Sequence, residues 1–297
     1  MASRRDIKYL MISIVPALII TYSFTFYPVL YAGYLSLVQY SLKMPEGNFR
    51  FIGFDNYLRG WANPEFAVAA KATIIFSVAT MFVILGIALG FALLLSREFG
   101  AQKFLQVLVL LPWAIPQVSS ALAWKWIFDN NFGVMNAILR SLHIIQTNQA
   151  WTGTELSAMM VILISFVWVE LPLPTLIFLA ALQTIPKDMY EAAEIDGAKA
   201  FARFRYVTFK WLKPVLFIAL IYESIMDVRA FDPVFVITQG APGGTTSFIS
   251  YFTYRTFFNY LEFGQASSYS IQVSIIMVAL ILIYFRALRL GTLRLKV

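Results

Sequence analysis

Three carboxylates and a few indole rings are the side chains of this sequence whose type and setting invite chemistry. Glu170 interrupts an apolar run, with Trp168 just before it and Pro172 just behind. Glu223 and Asp227 are spaced i, i+4, which puts both on one face of a helix. Arg229 and Asp232 follow near the end of the same segment. Ionisable groups inside apolar segments are costly to keep and mark functional positions by default. Here they could line a pathway and accept hydrogen bonds from a ligand's hydroxyls, or couple protons or sodium ions. They could also pair with one another or with a partner chain to fix helix packing. Trp113, Trp124 and Trp168 offer flat faces on which a ring could stack, and serve equally as packing or interfacial residues. His143 is the single histidine and has no local carboxylate cluster, so neither a metal site nor a nucleophile relay is expected. Cysteine is absent, which excludes disulfide and thiol chemistry. The most glycine-rich run, QGAPGGTTS, lacks the lysine of a phosphate-binding loop, so the chain is expected not to be an ATP-hydrolysing enzyme.

The elements that must position these groups follow from composition. At 60% hydrophobic and 13% charged, with 27 Phe, 15 Tyr and 7 Trp, the chain departs from water-soluble domains, which are about one-quarter charged. About 20 apolar residues span the hydrocarbon of a bilayer as a helix. Residues 9–42, 72–96, 104–124 and 263–285 contain no charge and predict four such spans. Residues 156–185 predict a fifth, kinked where Pro172 and Pro174 follow Glu170. Residues 214–232, interrupted by Glu223, Asp227 and Arg229, predict the sixth. The first apolar segment follows Arg4, Arg5 and Lys8 as a secretory signal would, but its length and lack of a small-residue cleavage pattern predict a retained helix.

Basic residues accumulate on the cytoplasmic side of membrane proteins. With the N-terminus inside, fifteen of the 23 Lys and Arg fall in inward segments, and six spans bring the C-terminus inside as well. The net charge of +7 is accounted for by a face set against anionic lipid, and nucleic acid is not expected as a partner. The longest inward segment, residues 186–214, is charged and rich in small residues. Its first part, PKDMYEAAEID, opens on a helix-starting Pro with acidic residues in the first turns, and Gly197 supplies a stop. A second, basic amphipathic helix follows in AKAFARFRYVTFKWL. On these features alone, an interfacial loop that snorkels its basic groups and an exposed docking element stand side by side.

The residues themselves carry a resemblance. Glu191, Ala192 and Ala193, then Asp196, Gly197 and Ala198, then Phe204 and the Leu212 to Pro214 stretch resemble the cytoplasmic loop of permease subunits of ATP-binding-cassette importers. FIGFDNY (51–57), LLPWAIP (110–116), LAALQTIP (179–186) and FDPVFVITQGAP (231–242) are similar to the carbohydrate-uptake branch of that family, so the likeness covers nearly the whole chain. Two positions depart from the usual pattern: Phe209 and Lys210 replace a Leu-Pro pair, and Gly240, Ala241 and Pro242 replace Gly-Gly-Pro.

The resemblance implies an all-α integral membrane protein of the type I importer permease fold, with residues 1–68 as an N-terminal helix and external segment. It implies a five-helix core over 69–287 that carries the loop 186–214, and a cytoplasmic tail over 288–297. It implies a permease subunit in a bacterial or archaeal cytoplasmic membrane, importing a sugar or sugar derivative. Peptides, polyamines or phosphonates are alternative solutes, and a secondary transporter or an intramembrane enzyme are more distant readings. The implied partners are a second permease, two ATPase subunits that bind ATP and magnesium, and an extracytoplasmic solute-binding protein. Glu191, Ala192, Ala193, Asp196, Gly197 and Ala198 would dock into a groove of one ATPase. Glu170, Trp168, Trp113, Glu223 and Asp227 would lie on the substrate pathway, and Gly240, Pro242 and Gly243 would meet the binding protein.

Overall fold

The computed structural model describes residues 4–43, 49–97 and 99–293; Arg294 and Lys296, counted above among the inward basic residues, lie outside them. The chain forms two compact units, residues 1–64 with 253–276, and residues 65–252 with 277–297.

The first unit begins with an unbroken helical run: α1 (Arg4–Thr21), a π-helical turn (Tyr22–Phe26) and α2 (Tyr27–Ser36). From Ile14 to Ser36 this run is apolar and essentially uncovered by its own unit, as suits a helix whose solvent is lipid. Two-residue strands β1 (Val38–Gln39) and β2 (Arg50–Phe51) pair antiparallel, and the short helix α3 (Asp55–Ala62) follows. Asn56, inside the FIGFDNY motif, is buried, and its amide donates to the carbonyls of Ser36 and Val38 at 2.9 Å each. The Ser36 carbonyl is one of the last of α2, which lack helical partners, and Val38 opens β1, so Asn56 ties the end of the helix to the strand. The carbonyl of Asn56 in turn accepts from Gln265 Nε2 at 2.8 Å. Gly264 lies so close to the Val38 carbonyl that a β-carbon would collide with it.

The second unit holds α4 (Pro64–Leu95), α5 (Gln102–Leu110), a 3₁₀ turn (Leu111–Ala114), α6 (Gln117–Ile127) and α7 (Val134–Ser141). They are followed by α8 (Glu155–Glu170), α9 (Pro172–Gln183), α10 (Lys187–Ile195), α11 (Ala200–Arg203), a π-helical turn (Phe204–Thr208), α12 (Phe209–Val228) and a second π-helical turn (Val234–Thr238). α13 (Ile249–Phe258) and α14 (Phe263–Leu293) supply residues to both units. The core of the second unit packs Leu85, Ala88, Ala92 and Leu95 of α4 against Phe178, Leu179 and Leu182 of α9 and Leu212 and Ala219 of α12. Alanines at these positions let helix backbones approach closely, the usual basis of helix association in lipid. Phe76 closes a further aromatic contact, 4.4 Å from Phe248 and 5.3 Å from Phe166 between ring centres.

Among the described residues, three helices, Ile14–Ser36, Pro64–Leu95 and Phe263–Leu288, are long and apolar enough to cross a membrane. Two bent pairs meet the same criteria: Glu155–Glu170 with Pro172–Gln183, turning by 46°, and Gln102–Ala114 with Gln117–Ile127, turning by 98°. The first is the expected proline kink. The second differs from the uninterrupted span expected over 104–124, because Pro112 and Pro116 in LLPWAIP each remove a helical hydrogen-bond donor. α12 does not meet the criterion, since Lys210, Lys213, Glu223 and Asp227 divide its 20 residues. The basic helix expected within the loop also differs from a separate element. Residues 200–228 form one helical run through the π turn, and Pro214 sits inside α12 rather than at its start.

Candidate functional site

The bend between α8 and α9 delivers Glu170 to the interior, where it is 7% exposed. Its Oε1 accepts from Gln117 Nε2 at 2.9 Å and its Oε2 from the Tyr222 hydroxyl at 3.0 Å. Gln117 is the first residue of α6, so the sharp turn after Pro116 aims it across at α8. Glu223 and Asp227 share the inward face of α12 and are both fully buried. Asp227 Oδ1 accepts from Thr80 Oγ1 of α4 at 2.7 Å. Among the described residues, Asp227 Oδ2, both oxygens of Glu223, and the hydroxyls of Ser77, Ser120 and Ser165 have no hydrogen-bond partner. The ion pairs of the described residues include Arg59 with Asp55 and Arg203 with Glu194, and neither reaches these three carboxylates. Arg229 is exposed at the end of α12.

The carboxylates singled out in the sequence therefore converge on one side of the second unit, and neutral donors from three other positions meet them. Thr80, Gln117 and Tyr222 were not anticipated. Their signal was slight: Thr80 is one hydroxyl in a long apolar span, Gln117 follows a proline, and Tyr222 adjoins Glu223. Trp168 is half-buried and meets Trp124 edge-on with ring centres 6.2 Å apart, while Trp124 stacks on Phe128 at 5.8 Å. Trp113 lies on the 3₁₀ turn and is more than half exposed. The unengaged oxygens of Glu223 and Asp227 are acceptors of the kind to which hydroxyl groups donate.

The loop 186–214 has a different character. α10 points two faces in opposite directions: Tyr190 and Ala193 pack on the unit's core, while Glu191, Ala192 and Ile195 are exposed, Ile195 at 87%. Ala193 is thus part of the helix's anchor, and the small outward residue is Ala192. The Tyr190 hydroxyl lies 2.9 Å from Thr208 Oγ1, and Arg203 bridges Glu194 at 3.2 Å, so the exposed helix is held at both edges. Its end is a Schellman motif. Gly197 N donates to the Glu194 carbonyl at 3.0 Å and Ala198 N to that of Ala193 at 2.9 Å, with Gly197 at φ +74°. The D-G-A sequence is the cap itself: Asp196 ends the helix, Gly197 takes the left-handed conformation, and half-buried Ala198 turns the chain back.

Gly240, Pro242 and Gly243 lie on the tight turn that follows the second π-helical segment. The turn is tied from beneath, where the buried Thr246 hydroxyl bonds to Thr238 Oγ1 at 2.8 Å and to the Ala241 carbonyl at 2.7 Å. Gly240 is buried, Pro242 half-buried and Gly243 exposed, so Gly243 is the one of the three most open to a partner. Lys125 Nζ, at the end of α6, donates to the Val236 carbonyl at 2.9 Å and ties this segment to α6.

Comparison with known proteins agrees with this layout. Residues 82–296 match the family described as binding-protein-dependent transport system inner membrane component. The trehalose/maltose transport system permease protein MalF of Thermococcus litoralis is 36% identical over 95% of this chain and 94% of its own length. The sulfoquinovosyl glycerol transport system permease protein SmoG of Agrobacterium fabrum is 30% identical over 92% and 88%. A bacterial alginate ABC transporter, solved in complex with an alginate pentasaccharide-bound periplasmic protein, shares the fold over 94% of each chain, with a TM-score of 0.80 at 20% identity. The polar helix interior, the capped loop helix and the apolar bent spans are accordingly those of a multi-pass transporter component rather than an enzyme, and the chain belongs to the family of inner membrane components of binding-protein-dependent transport systems.

Proposed function

We propose that this chain is a membrane-spanning permease subunit of an ATP-driven importer, which passes a sugar, oligosaccharide or sugar derivative from an extracytoplasmic binding protein to the cytoplasm. The observation that carries this reading is end-to-end similarity to permeases named for trehalose, maltose and sulfoquinovosyl glycerol transport. Six spans complete the topology: α1 with α2, α4, α5 with α6, α8 with α9, α12 and α14. Although α12 carries charges, its carboxylates turn into the protein interior, where intramembrane ionisable groups are tolerated. Both termini then lie in the cytoplasm, in a bacterial or archaeal cytoplasmic membrane.

In this reading the α10 surface meets one of two ATPase subunits, which bind ATP and magnesium, and a second permease completes the pathway. Because α10 rests on the same core as α4, α9 and α12, a push on Glu191, Ala192 and Ile195 is transmitted to α12, which holds Glu223 and Asp227, and to α9, which begins two residues after Glu170. Closure of the ATPases can thereby bias inward-facing against outward-facing arrangements. The turn at Gly240, Pro242 and Gly243 faces the binding protein.

Reconstitution tests the assignment. With both permeases and the ATPases in proteoliposomes, sugar-loaded binding protein is expected to support ATP-dependent sugar uptake. Uptake only of a peptide, polyamine or phosphonate would reassign the solute, and uptake by this chain alone on an ion gradient would overturn the importer reading. Orientation is read separately, since the chain has no cysteine to confuse labelling. Lys199→Cys is expected to react with an impermeant thiol reagent only from the cytoplasmic side, and Gln146→Cys only from outside. Both residues are exposed, and reversed labelling would refute the topology.

A further inference from the structure

We propose that the loop-proximal end of α12 carries a binding site for the phosphate of an anionic phospholipid headgroup, formed by Arg205, Lys210 and Lys213 with Tyr206 and Phe209. These five residues line a cleft of about 240 Å³ on the side of the helical run opposite its buried residues Val207, Thr208 and Leu212. Their spacing places Arg205, Phe209 and Lys213 in one row and Tyr206 and Lys210 in the next, so three cations converge on one helix face.

The cations are not committed elsewhere. Neighbouring Arg203 is held by Glu194 at 3.2 Å, whereas no carboxylate of the described residues pairs with Arg205, Lys210 or Lys213. Lys210 Nζ lies 5.8 Å above the Tyr206 ring, which steadies an ammonium while leaving its donors open. Position along the helix identifies the ligand. Residues 214–222 are uncharged, so Lys213 is the last cation before the apolar part of α12. Lys210 stands about 4.5 Å and Arg205 about 12 Å farther out, at 1.5 Å per residue. The polar layer of one leaflet is about 5–8 Å deep, so the two lysines stand at headgroup level and Arg205 reaches over it. Half-exposed Phe209 and exposed Tyr206 present rings at the depth where aromatic side chains meet glycerol and upper acyl carbons. A phosphodiester tethered to acyl chains satisfies cations and rings together, which a free anion does not.

The inference rests on the inward orientation proposed above, but its test does not. Native mass spectrometry of the assembled transporter, titrated with phosphatidylglycerol or phosphatidylcholine, is expected to show phosphatidylglycerol bound preferentially. Arg205→Gln/Lys210→Gln/Lys213→Gln is expected to weaken that binding by roughly one hundredfold, at about fivefold per cation removed near a lipid surface. Arg205→Lys/Lys210→Arg/Lys213→Arg, which keeps the charge, is expected to stay within a few-fold of the natural chain. Equal affinity of the natural and Gln-substituted complexes for phosphatidylglycerol would overturn the site. Displacement of the lipid by millimolar inorganic phosphate would overturn its assignment to lipid. Cysteine labelling at Lys199 reports orientation independently of either result.

Discussion

Gly197→Val is expected to lower coupled uptake at least tenfold while the complex still inserts and its ATPase retains unstimulated turnover. The reason is confined to the backbone. At φ +74° the residue occupies the left-handed region, and a β-carbon built there meets nothing within 4 Å, so no clash obscures the effect. A β-branched residue in this conformation costs about 1–3 kcal/mol, comparable to what the cap contributes. The chain escapes by opening the two hydrogen bonds from Gly197 and Ala198, which frays the end of α10 where Ile195 is presented. A graded series makes the test specific. Gly197→Asn should stay near normal uptake because Asn tolerates this conformation, Gly197→Ala should fall several-fold, and Gly197→Val at least tenfold. Equal transport by all three would remove the cap from the coupling mechanism. Glu191→Lys complements the series. As an exposed position its replacement alters this chain's own stability by about 0.5 kcal/mol or less, so a loss of uptake there reports on the partner that reads the surface.

Replacing Glu223 by Gln and Asp227 by Asn together should lower uptake by about 10- to 100-fold without lowering the melting temperature of the complex. Each buried carboxylate presents at least one oxygen that no described residue engages, so each can accept from a ligand hydroxyl. Exchanging a charged acceptor for a neutral amide, which can still accept, forfeits about 1–1.5 kcal/mol per bond, the difference between the two kinds of hydrogen bond, where that bond forms in the transition state. Stability should hold or rise, because two carboxylates four residues apart in an apolar interior are unfavourable neighbours and no cation among the described residues is left stranded. Unchanged uptake at unchanged stability would remove both residues from the pathway. A fall in melting temperature together with uptake would instead identify them as packing groups that meet a charge on the partner permease. Glu170→Gln is the milder companion: both partners of Glu170 are neutral donors, so an amide retains one bond and can donate to the Tyr222 oxygen.

What the sequence determined by itself was the set of elements and the family. Long uncharged runs have no soluble alternative to spanning helices, since backbone groups in hydrocarbon must be satisfied within the segment. The kink behind Glu170 follows from Pro172, and the stop at Gly197 follows from the one residue type that enters the left-handed region freely. The i, i+4 spacing already placed Glu223 and Asp227 on one face. Tertiary structure decided which groups meet those faces. Thr80, Gln117 and Tyr222 lie 147, 53 and 52 residues from the carboxylates they engage, and no periodicity encodes a contact between helices so far apart in the chain. It also decided that Ala193 faces inward while Ala192 faces out, because the direction of α10 is set by Tyr190 bonding to Thr208 and not by the alanines. The sharp turn at LLPWAIP was equally unreadable. A proline pair removes donors wherever it stands, but whether the helix bends slightly or by 98° depends on what the freed segments find to pack against, and here that is α8, with Gln117 reaching Glu170.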